Sequence, residues 1–256
     1  MIASKYGYAD IVSILLEQGT NRSAREKEID NSLYWASAEG HVDVVRVLLS
    51  KGADVGFRGT DRSTVLQVAS IKGHEKVVAM LLEAGADVNA SSNSSLYCNA
   101  LQAAVVRGRT KTVGTLLAGG ADPNARGGLY RTPLLAAVWK SQTAILQMLL
   151  NAGAKVDGGE SNSSRVLQAA MAADTSRSDI IQQLLDAGAN INDLETKDRG
   201  NLLLDASFHK NLRPVHALLQ AGVDVDLATH PQQSQSWYRD LLRNLQLRVS
   251  KVQDRY

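Results

Sequence analysis

One phrase returns seven times along this chain: a pair of leucines followed, within a few residues, by a glycine. It reads Leu15-Leu16-Glu17-Gln18-Gly19, then Leu48-Leu49 with Gly52, Leu81-Leu82 with Gly85, and Leu116-Leu117 with Gly120. It returns as Leu149-Leu150 with Gly153, Leu184-Leu185 with Gly188, and Leu218-Leu219 with Gly222. Successive glycines are 33, 33, 35, 33, 35 and 34 residues apart. A fixed period in that range marks an array of stacked units, each too small to bury its own apolar face. Such arrays hold partners more readily than they transform substrates. The repeat therefore points to binding.

The third unit shows how one repeat is built. Leu66, Ala69 and Ser70 recur at three- to four-residue spacing, as do Val77, Val78, Leu81 and Leu82, so two helices with one apolar face each are expected. Gly73 ends the first helix, and Gly85 supplies the positive φ needed at the end of the second. Residues 86–98 are polar and rich in turn formers. The unit reads as helix, tight turn, helix, long loop, and the fold as all-α. From motif start to glycine the distance is 21 residues in the units opening at Asn31, Thr64, Asn99, Thr132 and Asn201. It is 23 in the unit opening at Arg165, which places a longer interhelix turn at residues 174–179. Other extra residues fall in loops, as in Ser91-Ser92-Asn93-Ser94-Ser95, where added length costs little.

With these residues in register, the chain resembles the ankyrin repeat family. Thr132-Pro133-Leu134 keeps the opening of that family's motif, Gly40-His41 and Gly73-His74 its middle, and Gly85-Ala86-Asp87-Val88-Asn89 its end. The resemblance implies an ankyrin-repeat solenoid of stacked helix-turn-helix pairs with long connecting loops. About seven repeats are expected over residues 1–229, then a linker at 230–235 and an amphipathic C-terminal helix at 236–256. That helix carries Leu241, Leu242, Leu245 and Val249 on one face among arginines, so it reads as a cap, with a basic target helix as the alternative. Met1 falls inside what should be the first helix of a unit, so the opening repeat is expected to be truncated: a short cap or, as the favoured reading, a sign that the chain is a fragment of a longer protein. The motif histidine is replaced by Gln67, Gln102 and Gln168, which keep hydrogen-bonding capacity, and by Trp35, Leu135 and Leu204, which lack it or change it. The Leu-Gln-Ala-Ala run with Gly127-Gly128-Leu129-Tyr130 is similar to ankyrin arrays joined to large fungal signalling NTPases.

Composition narrows the chemistry. Hydrophobic residues make up 44% of the chain but aromatic ones only 5%, so Ala, Leu and Val must build the core, which suits thin packed helices better than a deep pocket. A formal charge of +2 supplies no global attraction to nucleic acid and argues against it as the partner. The lone cysteine, Cys98, excludes an internal disulfide and fits a reducing intracellular compartment, cytoplasmic or nuclear. The opening Met1-Ile2-Ala3-Ser4-Lys5-Tyr6 lacks the apolar stretch of a secretory signal, and no run approaches the ~18 apolar residues that span a bilayer. His41, His74, His209, His216 and His230 are scattered without zinc spacing, and His41 and His74 are expected to satisfy local backbone at the Gly-His turn. Asp193-Leu194-Glu195-Thr196-Lys197-Asp198 lacks the glycine that a calcium loop needs at its sixth position. Gly127-Gly128 lacks the Lys-Ser/Thr of a phosphate loop. The expectation is a monomeric non-enzyme without cofactor, metal or small-molecule substrate.

The family resemblance implies partner contacts from loop tips and the exposed end of each first helix, on the concave side. The last two residues before the turn carry this over as Ala38-Glu39, Ile71-Lys72, Val106-Arg107, Trp139-Lys140, Ala172-Ala173 and Phe208-His209. Ile71, Val106, Trp139 and Phe208 form an expected apolar rail, with Lys72, Arg107 and Lys140 a cationic one. Arg58, Arg62, Tyr97, Arg126, Tyr130 and Arg131 add to it from the loops. This pattern suits a protein segment that is acidic with apolar anchors. The competing possibility is ordinary packing of Trp139 and Phe208 under neighbouring loops. The leading function is a non-catalytic interaction scaffold; the alternatives are the regulatory array of a larger signalling protein and, less favoured, a nucleic-acid surface.

Overall fold

The computed structural model describes residues 2–18, 22–91, 97–156, 164–171 and 177–191, with single positions at 194, 200, 203, 215, 218 and 219. These residues hold twelve α-helices: α1 (Ile2–Lys5), α2 (Ala9–Gln18), α3 (Arg22–Glu39), α4 (Val42–Ser50), α5 (Val65–Lys72) and α6 (Glu75–Glu83), followed by α7 (Ala100–Val106), α8 (Thr110–Ala118), α9 (Pro133–Trp139), α10 (Thr143–Asn151), α11 (Ser164–Met171) and α12 (Arg177–Asp186). The β pairing among the described residues is a single isolated bridge between Arg58 and Thr64. No helix among them is long and apolar enough to cross a membrane. The chain divides into two compact units, residues 1–137 with 151–153, and residues 138–150 with those from 154 onward.

In the first unit the helices pair as α1–α2, α3–α4, α5–α6 and α7–α8, and each pair is one layer. First helices stack on first helices (α1 on α3 on α5 on α7), and second on second (α2, α4, α6, α8). The apolar stripe of each second helix makes the core: Val44, Val45 and Leu48, then Val77, Val78 and Leu81, then Val113 and Leu116 are all fully buried. The motif's first residue acts as a helix cap, satisfying a backbone N–H that the helix cannot. Thr64 Oγ1 accepts from the Gln67 N–H at 3.1 Å, Asn99 Oδ1 from Gln102 at 2.8 Å, and Thr132 Oγ1 from Leu135 at 3.2 Å.

The motif's closing residues join one layer to the next. Asp54, Asp87 and Asp122 each accept from the N–H two residues on, which folds the loop into an Asx turn. Asn89 then reaches the following layer, donating to the Gly120 carbonyl and accepting from the Asp122 N–H. Asn124 repeats the first of these bonds on the Gly153 carbonyl at 3.0 Å.

Two expectations are corrected here. Asn31 does not open a helix: α3 begins at Arg22, and Asn31 lies inside it, donating to the Lys27 carbonyl. The connection ahead of the second layer is therefore partly helical instead of a long loop, because Arg25-Glu26-Lys27-Glu28 are good helix formers with no glycine or proline among them. Asp30, carried on this extension, accepts from the Asp54 N–H at 2.7 Å. The histidines do not satisfy local backbone either. His41 Nε2 bonds the Lys5 carbonyl at 2.8 Å and His74 Nε2 the Ala38 carbonyl at 3.1 Å, each one layer back.

In the second unit, Val138, Ile145, Leu146 and Leu149 are buried, and α11 packs on α12 with Val166, Leu167, Ile180, Ile181 and Leu184 in its core. Leu203, Val215, Leu218 and Leu219 are helical and buried. The 230–235 linker, the 236–256 helix, Phe208, His209 and residues 174–176 of the turn placed at 174–179 lie outside the described residues, while residues 177–179 of that turn are instead the start of α12.

Candidate functional site

The ends of the first helices present the expected side chains within the first unit. Ile71 and Val106 are half-buried, and Lys72 and Arg107 beside them are exposed. Ala38, at the same register in α3, is buried, while Glu39 next to it is exposed. At two positions of this register the backbone is held from the following layer. The Ala38 carbonyl is held by His74, and the Ile71 carbonyl accepts from Arg109 Nε at 3.3 Å. Arg109 thus stands in for the histidine of the Gly-His turn. It was absent from the sequence-derived set, although its place directly after Gly108 marks it. Gly73, before His74, has positive φ and little room for a side chain. A Cβ on Gly73 would lie 2.7 Å from Arg109 Cδ, at a backbone φ of 85°.

Arg58 and Arg62 sit on the loop between α4 and α5, both exposed. The loop is a tight finger: the Gly59 N–H donates to the Ser63 carbonyl at 3.0 Å, the Arg62 N–H to the Gly59 carbonyl at 2.9 Å, and Arg58 Nη1 to the Arg62 carbonyl at 3.2 Å. Arg62 holds φ 63°, a left-handed conformation that costs a residue with a side chain about 1–2 kcal/mol. Tyr34 anchors the finger, its hydroxyl donating to Asp61 Oδ1 at 2.9 Å and its ring packing edge-on against Phe57. Burial, then the Asp61 carboxylate, pushes the Tyr34 hydroxyl well above its ordinary range. Burial works to raise Asp61, yet hydrogen bonds from Ser63 and Tyr34 prevail and hold its carboxyl below the usual value. These two groups stabilise the anchor at pH values above the unfolded carboxylate range and below the unfolded tyrosine range. Tyr34, Asp61 and Phe57 were missed from sequence, where nothing links residues 27 positions apart.

The second finger lies between α8 and α9. The Gly127 N–H donates to the Arg131 carbonyl at 2.9 Å, and Arg131, like Arg62, has positive φ. Arg126 and Arg131 are exposed and Tyr130 half-buried. Leu129, unmarked by sequence, projects at the tip with 63% of its surface accessible. Gln102 supports the base of the finger, donating to the Gly127 carbonyl at 2.8 Å and accepting from the Cys98 N–H at 2.9 Å. Tyr97 is the site residue that the structure removes. Only 8% of its surface is accessible, and its carbonyl accepts from Gln67. Cys98 beside it is buried too, and that burial pushes its thiol above the ordinary range. Register corrects the place given to Trp35: Tyr34, 33 residues before Gln67, holds the motif-histidine position, and Trp35 next to it lies under the Lys5 ammonium at 5.1 Å in a cation–π contact.

In the second unit, Trp139 ends α9 with 51% of its surface accessible, and Lys140 after it is exposed. Among the described residues no group of three or more His, Cys, Asp or Glu is gathered to hold a metal.

Residues 1–92 match a family model of ankyrin repeats in three copies, and residues 101–150 match one of ankyrin repeats in many copies. The chain is also similar to the human ASB11 ankyrin repeat domain seen in a crystal structure, with 29% identity and a TM-score of 0.61. That match covers 74% of this chain and 83% of the other. No match was found among curated proteins. Solved structures give 412 matching chains, a breadth that identifies the repeat and its fold and singles out no partner. Ankyrin repeats generally mediate protein–protein interaction and are typically non-catalytic. With its helix-pair layers, capped motif starts and Asx-turn loops, the chain belongs to the ankyrin repeat family.

Proposed function

We propose that this protein is a non-catalytic scaffold that binds an acidic protein segment carrying apolar anchors. The observation behind the proposal is the row of half-buried Ile71 and Val106 beside exposed Lys72 and Arg107, with the Ile71 carbonyl held by Arg109. A surface whose backbone is already fixed loses little freedom on binding, so more of its contact energy appears as affinity. Arg58 and Arg62 add two exposed cations from a finger anchored by the Tyr34–Asp61 hydrogen bond. Trp139 with Lys140 gives the second unit a pair of the same kind, a large apolar residue followed by a cation. Phe208 and His209 continue the pattern in sequence. The 5% aromatic content leaves few anchors of the Trp and Tyr type that most often dominate interfaces, so Trp139 stands out. The alternative, a regulatory array within a larger signalling protein, rests on the Leu-Gln-Ala-Ala run and is compatible with the same surface. The lone buried thiol suits a reducing compartment, and the protein acts there as a monomer.

The test is to isolate a partner by pull-down, then measure affinity and thermal midpoint for Trp139→Ala. Loss of about 2 kcal/mol or more of binding, with the midpoint unchanged, is expected for an exposed anchor. A lowered midpoint with unchanged affinity would make Trp139 a packing residue and remove it from the surface.

A further inference from the structure

The chain sets arginine three residues ahead of a serine or threonine twice, Arg107 before Thr110 and Arg109 before Thr112. Protein kinases that discriminate by charge select acceptors through such a pattern, meeting the substrate's cation with carboxylates of their own. The fold separates the two acceptors. Thr112 lies in the core with 1% of its surface accessible. Residues 107–111 are exposed without a break, the longest such run among the described residues. A kinase must take the acceptor and its flanks into a cleft, which an exposed turn permits and a packed helix face does not. Thr110, at the first position of α8, is therefore the acceptor that the fold leaves open.

The same turn borders the candidate site. Arg107 belongs to the cationic row, and Arg109 Nε donates to the carbonyl of Ile71 in the apolar row at 3.3 Å. A phosphothreonine carries about −1.5 to −2 charges at neutral pH, enough to offset most of the charge on these two arginines. The position also accommodates a phosphate. α4 and α6 carry an acid in their first turn, Asp43 and Glu75, whereas α8 has none and its N-cap Arg109 makes no side-chain cap bond. An anion on Thr110 meets the positive end of the helix dipole, where negative charge is stabilising. We propose that Thr110 is the acceptor for an arginine-directed protein kinase, and that its phosphate turns off the cationic row; the second half rests on the acidic-segment function proposed for that row. In the transfer, Thr110 Oγ1 bonds to the γ-phosphorus of ATP and the bond from that phosphorus to its bridging oxygen breaks. ADP leaves, and the hydroxyl proton passes to the kinase's carboxylate base.

The experiment treats the folded full chain with ATP and a purified calmodulin-dependent protein kinase, which selects arginine at that place, and maps the phosphate by mass spectrometry. Thr110 should be modified and Thr112 left untouched, with the rate falling about tenfold or more in Arg107→Ala. No phosphate on Thr110, phosphate on Thr112, or a rate indifferent to Arg107→Ala overturns the proposal. A fluorescent synthetic peptide with leucine anchors among glutamates then reports binding. Phosphorylation should weaken its affinity about tenfold or more without lowering the thermal midpoint, and kinase-treated Thr110→Ala should bind as the untreated chain does. Equal affinity before and after phosphorylation, or a lowered midpoint, overturns the switch. Lys72→Glu lies outside the kinase motif and tests the row by itself. Weakened binding by Lys72→Glu with no effect of the phosphate refutes this proposal alone. A Lys72→Glu chain that binds the peptide as the native one does refutes the acidic-segment function instead.

Discussion

Gly40, Gly73 and Gly108 turn the chain between paired helices with positive φ, but between α9 and α10 the same position is Ser141, at φ 52°. A side chain in that conformation is strained, so Ser141→Gly should stabilise the protein by about 1 kcal/mol. Thr112 is a second exception. It fills a position held by Val44, Val77, Ile145 and Ile180 in other layers, and its buried hydroxyl has no hydrogen-bond partner. Thr112→Val keeps the shape and removes an unmet donor, so it should add about 1 kcal/mol as well. Urea unfolding of each variant checks both, and a loss of stability in either would contradict the residue's assigned strain. Both exceptions are legible once the units are aligned, because they break a column. Tyr97 was not legible: a tyrosine in a polar loop looks exposed until its carbonyl is found engaged by Gln67, 30 residues away.

At the scale of the element, helix starts and turns were readable because each rests on short-range chemistry. Thr64, Asn99 and Thr132 cap helices, and Asp54, Asp87 and Asp122 fold Asx turns within two residues. What escaped were the bonds between elements, such as Tyr34 to Asp61 and Arg109 to Ile71, whose partners only stacking brings together. α3 escaped for the opposite reason. Its N-terminal extension is strong local helix that the repeat pattern concealed. Within a layer the paired leucines divide the work, Leu116 buried and Leu117 only partly so. Leu116→Ala should therefore cost roughly 2–5 kcal/mol, the range for a leucine truncated in a packed core. Each layer touches only its neighbours, so exchange should quicken first in α6 and α8 and least in α1 and α2. Uniform deprotection throughout the first unit would contradict a nearest-neighbour stack.

For the whole molecule, the repeat period was the decisive signal, and it carried the fold class from sequence to structure without revision. The partner surface was only partly legible. Register identified Ile71, Lys72, Val106, Arg107, Trp139 and Lys140 as helix-end residues, whereas finger geometry and the exposed Leu129 needed coordinates. The central claim is that the cations beside the apolar row steer an acidic partner toward it. The most direct test measures the association rate of the isolated partner against salt concentration, for the native chain and for a Lys72→Glu, Arg107→Glu double variant. The native rate should fall steeply as salt screens the attraction, and the variant should associate about tenfold or more slowly at low salt, with the slope flattened or reversed. Association that is equally fast in both proteins and insensitive to salt would contradict electrostatic steering at this surface.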